Sequence, residues 1–329
     1  MNILLTGGAG FIGSHVANLL SFKYPDYKII VLDKMDYCAS QANLNVSLNV
    51  ELVQGDIQCG DLVAHLLETY KITHVLHFAA QTHVDNSFGN SLAFTLNNTL
   101  GTHILLEACR KYGALTKFIN VSTDEVYGDT TAELEHGITE QSTLMPTNPY
   151  SAAKAGAEML CNAYKISYGM PIIITRGNNV YGPGQFPEKL IPKFILLGKM
   201  GKPLPVHGNG SAQRSYLYVS DVANAFDCIL HKGEIGAIYN IGTCDERSVL
   251  EITKELSGIF NVPFENVRDR AFNDSRYFIG SGALEALGWT QMVGWNDGLA
   301  KTIEWYGNVD LDKHWSNWKS VLSAHPNLI

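Results

Sequence analysis

The sequence predicts an α/β fold, a doubly wound parallel sheet carrying a smaller C-terminal domain. Three observations predict it. Short apolar runs alternate with helix-length stretches up to residue 176, the rhythm of parallel strands joined by crossover helices. A glycine cluster, Gly7-Gly8-Ala9-Gly10-Phe11-Ile12-Gly13, separates the first apolar run from the first helical stretch. After residue 176 the rhythm gives way to frequent Gly and Pro, as in Gly182-Pro183-Gly184, Pro187, Pro192, Pro203 and Pro205. A Rossmann-type domain is therefore assigned to residues 1–176, with segments of about 215–245 returning to it. Residues 177–329 are assigned mainly to substrate binding.

Taken in order, strands are expected at 2–6, 28–32, 50–54, 74–78, 117–121, 172–175 and 238–241, the last returning to the main sheet. Each is a short run rich in Val, Ile and Leu, and the early ones end in Asp33, Gly55-Asp56 or Ala79-Ala80. Helices are expected at 11–22, 61–69, 91–112, 149–167, 220–230 and 249–260. Asn148 is a good N-cap and Pro149 a good first helical residue, while Gly169 and Pro171 stop that helix. Beyond residue 176 the chain reads as loops and shorter elements laid over the sheet edge. The Trp- and Ser-containing stretch 314–329 reads as only partly ordered.

Composition narrows the function. The chain has 329 residues with 46% apolar and 17% charged, a globular balance, and a net charge of −8 without any Lys/Arg run. That argues against nucleic acid or an anionic membrane as partner. No apolar run approaches membrane-spanning length. The first strand begins at Asn2, which leaves no room for a cleavable signal. The cysteines at 38, 59, 109, 161, 228 and 244 form no C-x-x-C pair and read as free thiols in a reducing compartment, so a cytoplasmic protein is expected. His74, His77 and His83 are not spaced as a metal site, and no metal is expected.

The glycine cluster satisfies G-x-G-x-x-G at Gly8, Gly10 and Gly13, and G-x-x-G-x-x-G at Gly7, Gly10 and Gly13. Between a strand and a helix, such a turn faces its N–H groups and the helix N-terminus to a pyrophosphate. Phe11 and Ile12 lie inside it. Asp33 follows Gly13 by 20 residues. A carboxylate there accepts hydrogen bonds from an adenosine ribose and repels a 2′-phosphate, which favours NAD over NADP. Asp56-Ile57 and the small pair Ala79-Ala80 follow the third and fourth strands and are expected to border the same cofactor.

The reacting residues come next. Ser122-Thr123-Asp124-Glu125-Val126-Tyr127-Gly128 follows the fifth strand, so two adjacent acids stand at a strand end, where open α/β sheets place their ligands. Tyr150 and Lys154 lie one turn apart on the next helix. A phenol, an ammonium, a hydroxyl and two carboxyls in one cleft indicate proton transfer. The lysine charge is expected to lower the tyrosine pKa, so that the phenolate takes a proton from a sugar alcohol while hydride leaves the same carbon.

On these residues, together with His77-Phe78-Ala79-Ala80, the chain resembles the extended short-chain dehydrogenases/reductases that act on nucleotide sugars, over nearly all its length to about residue 307. Ser-Thr-Asp-Glu-Val-Tyr-Gly resembles the 4,6-dehydratases in particular. C4-epimerases usually carry a small or apolar pair where Asp124-Glu125 stand. The resemblance implies that Tyr150, with Lys154 as electrostatic partner, is the C4 base and that Thr123 polarises the ketone. It implies Glu125 as the C5 base and Asp124 as the acid for the departing O6 hydroxyl. Hydride then returns to C6, so the net change is loss of water.

The substrate is narrowed by departures. The dTDP-glucose enzymes typically show Arg at the position of Asn86, and an Arg-Pro-Gly-His-Asp pattern where this chain reads Arg270-Ala271-Phe272-Asn273-Asp274. Both departures look like the UDP-glucose 4,6-dehydratases, including the N-terminal half of rhamnose synthases. UDP-glucose is favoured and dTDP-glucose is the alternative, since the bases differ by one methyl. By resemblance, Asn179, Arg214 and Arg270 face the pyrophosphate. Glu188-Lys189-Leu190 lines the sugar and nucleotide, while His83, Ser122 and Asn273 border the substrate. The resemblance also implies a homodimer through helices 91–112 and 149–167, and a separate epimerase/reductase acting downstream. The rival readings are a C4-epimerase, against which Asp124-Glu125 argue, and a nucleotide-sensing regulator, against which the retained Tyr150 and Lys154 argue.

Overall fold

The computed structural model describes residues 1–45, 47, 49–130, 137–269 and 272–323. The main sheet has seven strands: β1 (Asn2–Thr6), β2 (Lys28–Asp33), β3 (Val50–Gln54), β4 (His74–His77), β5 (Lys117–Thr123), β6 (Ile172–Gly177) and β7 (Ile238–Ile241). Their spatial order is β7-β6-β5-β4-β1-β2-β3, and every pairing is parallel. The chain starts at β1, winds outward to β3, and crosses to β4 on the other side. That reversal opens a crevice at the carboxyl ends of β1 and β4, where a doubly wound sheet binds its ligand. The returning strand expected at 238–241 is β7, at the far edge beside β6.

A parallel sheet has both faces covered, so its strands read as continuous apolar runs. One face buries Ile3, Leu5, Ile29, Val31 and Ile119 under α1 (Phe11–Lys23) and a later helix, Val219–Lys232. The other buries Leu4, Ile30, Val75 and Phe118 under three helices, α2 (Gly60–Thr69), α3 (Gly101–Tyr112) and α4 (Pro149–Tyr168). The stretch 91–112 is helical as expected but contains a π segment, Thr95–Leu100. Within it, buried Asn98 closes both ends of a bond to the Gln81 backbone, taking its N–H at 2.8 Å and donating to its carbonyl at 2.9 Å.

Beyond β6 the expectation of loops over a sheet edge is corrected. This region builds its own core around Tyr181, Phe194, Trp295, Tyr306, Trp315 and Trp318. Helices Leu190–Lys199 and Trp295–Asn308, which the sequence reading did not assign, pack into it. Gln213–Tyr218 pairs with Asn179–Tyr181, Glu246–Ser248 and Arg276–Tyr277. The expectation of a partly ordered end is corrected for residues 315–323, where Trp315, Trp318, Val321 and Leu322 are buried. Indole rings bury more apolar area than their polar neighbours oppose. Residues 324–329 lie outside the described part. Among the described residues, no helix is long and apolar enough to cross a membrane, and all six cysteines are free.

Candidate active site

β1 ends at Thr6 and α1 starts at Phe11, so the glycine loop lies at the crevice. Gly7 adopts φ +71°, and a Cβ on it would stand 2.6 Å from Ala79 N. A Cβ on Gly13 would stand 2.4 Å from Gly7 O. Side chains are excluded at both positions, and the backbone is what lines the cleft. Gly10 caps α1 without a side-chain bond, and the first turn holds no acid, so the helix N–H groups are left for an anion. Asp33 terminates β2, its Oδ2 accepting from Ala9 N at 2.9 Å and its Oδ1 from Met35 N at 2.8 Å. Burial pushes its pKa up. Phe11, Ile12, Asp56, Ile57, Ala79 and Ala80 line the same cleft. The cradle, its free helix N-terminus and the carboxylate at the end of β2 fit a dinucleotide with an unphosphorylated ribose.

Further along the cleft stand Tyr150 and Lys154, both buried on the first turns of α4. Asn148 caps that helix as expected, taking the N–H of Ser151 at 2.8 Å in a capping box, with Pro149 next. Lys154 Nζ donates to Val121 O at 2.6 Å. Burial lowers its pKa to about 8, against the opposing pull of Glu158. The expected lowering of Tyr150 is not what the protein's own groups produce. Burial pushes the phenol well above its usual range, and the negative charge of Glu125 adds to it, while a hydrogen bond with Thr123 works the other way. The expectation counted the lysine charge and left out both the desolvation and the neighbouring carboxylate.

β5 runs two residues further than expected and carries Ser122 and Thr123 inside the strand. Thr123 then caps the 3₁₀ turn Asp124–Tyr127, its Oγ1 taking the N–H of Glu125 at 3.3 Å and donating to Asp124 Oδ1 at 3.2 Å. The two carboxyls have different surroundings. Asp124 is fully buried and takes a 2.6 Å bond from Asn178 Nδ2 on Oδ2. Burial first, then the charge of Glu125, push its pKa up to about 7. Glu125 is half-buried and takes a 3.1 Å bond from Asn148 Nδ2. Its pKa is also raised by burial, while Asn148, Arg214 and Lys189 oppose the rise. Burial and the neighbouring charge thus hold on to the Asp124 proton, while Asn148, Arg214 and Lys189 favour the ionised form of Glu125, a difference of surroundings by which paired acids divide acid and base work.

Glu125, Asn179, Glu188 and Lys189 are shared with an adjoining second limb of the cleft. His83, Leu190, Arg214 and Asn273 line that limb, whereas Ser122 lies in the first limb with the glycine loop. Arg214 is within a strand, Gln213–Tyr218. Its Nη2 donates to Asn273 Oδ1 at 3.0 Å and to Asp274 O at 2.9 Å, and its guanidinium stacks on Tyr277 at 4.5 Å. Lys189 Nζ donates to Thr82 O at 2.9 Å, and Glu188 takes the Tyr37 hydroxyl at 2.8 Å. Arg214 and Lys189 make this limb a place for an anionic group. Arg270 lies outside the described residues.

Several lining residues escaped the sequence reading. Lys34 and Asp36 pair at 3.0 Å behind Asp33, and Gln81 Nε2 donates to Asp36 at 2.8 Å. Asp36 stands three residues after Asp33 and Gln81 directly after Ala79-Ala80, so their nearness to expected cofactor residues was the available signal. Nothing in spacing pointed to Asn178, or to a second role for the cap Asn148. His77 bridges Thr6 at 2.7 Å and Thr102 at 2.9 Å. Among the described residues, no group of three or more His, Cys, Asp or Glu is placed to hold a metal ion.

Over residues 4–302 the chain matches the family described as GDP-mannose 4,6 dehydratase. It is 56% identical over 335 positions to an Arabidopsis thaliana trifunctional UDP-glucose 4,6-dehydratase/UDP-4-keto-6-deoxy-D-glucose 3,5-epimerase/UDP-4-keto-L-rhamnose-reductase, covering 100% of this chain and 50% of that protein. The chain spans about half the length of the Arabidopsis relatives it matches. It is 46% identical over 334 positions to the human dTDP-D-glucose 4,6-dehydratase, covering 98% of this chain and 93% of that one. Among solved structures, Streptomyces venezuelae DesIV, a dTDP-glucose 4,6-dehydratase with NAD bound, superposes with a TM-score of 0.89 at 38% identity, covering 93% of this chain and 97% of that chain. A Thermus thermophilus UDP-glucose 4-epimerase with NAD superposes at 0.87 with 30% identity, covering 94% and 100%.

Proposed function

The chain belongs to the GDP-mannose 4,6 dehydratase family, and from that premise we propose that it is an NAD-dependent nucleotide-sugar 4,6-dehydratase acting on UDP-glucose. The glycine loop and Asp33 would hold NAD, which would supply the hydride acceptor at C4 and the hydride donor at C6, and Arg214 and Lys189 hold the substrate diphosphate. Tyr150 is placed to take the O4 proton as a phenolate, for which the charge of Lys154 one turn below, with that of the oxidised nicotinamide, would offset its burial. Thr123 bonds to the forming ketone. Glu125 removes the C5 proton, which the ketone has acidified, Asp124 protonates O6 as it leaves as water, and C5 regains a proton from Glu125 when hydride enters C6. The observation that carries this reading is the split pair, buried Asp124 against half-buried Glu125, beside Tyr150. An epimerase has no need of a second and third proton-transfer group.

The choice of UDP is supported by 56% identity to proteins named for UDP-glucose against 46% to those named for dTDP-glucose, and by Asn86 and Asn273. Incubation with UDP-glucose and dTDP-glucose in parallel, with mass detection of a product lighter by one water, tests both levels. Equal turnover of the two removes the UDP preference. An unchanged mass with an altered C4 configuration replaces dehydration by epimerisation. Tyr150→Phe is expected to abolish turnover, and unchanged turnover in that variant contradicts the mechanism.

The same reading includes a homodimer, a cytosolic setting and a separate epimerase/reductase that consumes the 4-keto product on the way to rhamnose. The dimer is supported by the exposed apolar side chains Leu92, Leu96, Leu100, Met159 and Ile166 on the helices expected to form it. Free thiols support the setting.

A further inference from the structure

Asn178 follows β6 and is buried against Asp124. Its Nδ2 donates to Asp124 Oδ2 at 2.6 Å, and its Oδ1 accepts the backbone N–H of Thr243 at 3.1 Å. A backbone N–H can only donate, so the amide cannot be turned over, and its donor end is held on the acid. Thr243 is itself fixed on the loop after β7. Its Oγ1 donates to Gln291 Oε1 at 2.6 Å and accepts from Asp245 N at 3.2 Å. The loop also closes from behind, for a Cβ on Gly242 would stand 2.5 Å from Asn178 Oδ1.

The two oxygens of Asp124 are thereby unlike. Oδ2 faces a fixed donor, and a proton placed there would set hydrogen against hydrogen. Oδ1 faces Thr123 Oγ1 at 3.2 Å, a hydroxyl that can accept as well as donate. We propose that Asn178 is a positioning residue of the elimination step: held by Thr243, it keeps Asp124 Oδ2 as acceptor only and makes Oδ1 the oxygen that carries and delivers the proton. The proposal rests on the reading of Asp124 as the acid for O6. The charged and titratable groups that face Asp124 are Glu125, Tyr150 and Arg214, and none of them is touched by a change at position 178.

The test is a ¹³C-carboxyl titration of Asp124 in the full chain, assigned by its loss in Asp124→Asn, beside the pH profile of dehydration. The Asn178 bond stabilises the ionised oxygen, so Asn178→Ala is expected to move the Asp124 midpoint upward by roughly one pH unit. The alkaline limb of the profile should move with it, and elimination should slow about 10-fold as Asp124 loses both the bias of its proton to Oδ1 and the bond that holds the carboxyl in place. Gly242→Ala removes no polar group and is expected to move the midpoint the same way, by crowding Asn178 off Oδ2. It decides the matter if Asn178→Ala does not fold. An unmoved midpoint in the folded variants, or elimination at full speed, overturns the proposal. If the unaltered chain dehydrates neither UDP-glucose nor dTDP-glucose, the dehydratase reading falls, while the titration still judges the hold of Asn178 on Asp124.

Discussion

Asn148 donates Nδ2 to Glu125 at 3.1 Å while its Oδ1 takes the N–H of Ser151 at 2.8 Å. One side chain thus both starts α4, which carries Tyr150 and Lys154, and supplies a donor to the neighbouring acid. Asn178 likewise donates Nδ2 to Asp124 while its Oδ1 takes a backbone N–H, that of Thr243. Each carboxyl of the pair is served by an amide whose orientation a backbone N–H has fixed.

Asn148→Ala should therefore do two things at once. Loss of the cap is expected to cost about 1 kcal/mol of stability, read by denaturant unfolding. Loss of the donor should raise the Glu125 pKa further and shift the acidic limb of the pH profile upward. Asn148→Ser restores the cap but not the amide donor, so it should recover stability and leave the shifted limb. If both recover together, the second role is absent.

Asp124→Asn combined with Glu125→Gln should separate oxidation from elimination. Tyr150 and Lys154 remain, so near-ultraviolet absorbance should still report reduced cofactor on addition of UDP-glucose. Release of water should fall by a factor of about 10² to 10⁴. Full dehydration by this variant would sink the acid–base assignment.

Asp124 also makes function and stability oppose each other. Its folded pKa is about 7 and its ordinary value 3.8. Between these, the folded chain binds more protons than the unfolded chain, so stability falls as pH rises from about 4 to about 7 and stays lower above. Asp124→Asn removes that cost, on the order of 2–4 kcal/mol. It should melt several degrees above the parent at pH 8 and close to it at pH 4. Elimination by the parent should decline above pH 7 as the acid loses its proton. A melting difference independent of pH would contradict the buried acid.

The exposed apolar residues of the helices predict the assembly. Leu96→Arg with Ile166→Arg should leave a monomer in sedimentation, since two buried charges without partners are not tolerated in an apolar interface. A dimer of unchanged strength would place the contact elsewhere.

Much of the fold was legible because its signals are local. Alternating apolar runs mark a parallel sheet, the glycine loop needs backbone approach within a few residues, and Asn148-Pro149 starts a helix by its own chemistry. The region after Gly177 was less legible. Its core is assembled from aromatic residues scattered from Tyr181 to Trp318, and no short window shows their common face.

The sequence by itself determined the chemistry-bearing types and their addresses: Thr123, Asp124 and Glu125 at a strand end, Tyr150 and Lys154 one turn apart, and Asp33 after the glycine loop. Only the tertiary structure decided their states. Whether Asp124 is an acid at pH 7 depends on burial and on Asn178, 54 residues away, held by Thr243 a further 65 along. Whether Tyr150 is raised or lowered depends on how much water and which charge surround it. Desolvation and fixed hydrogen-bond direction are properties of neighbours in space, and the order of residues along the chain does not encode them locally.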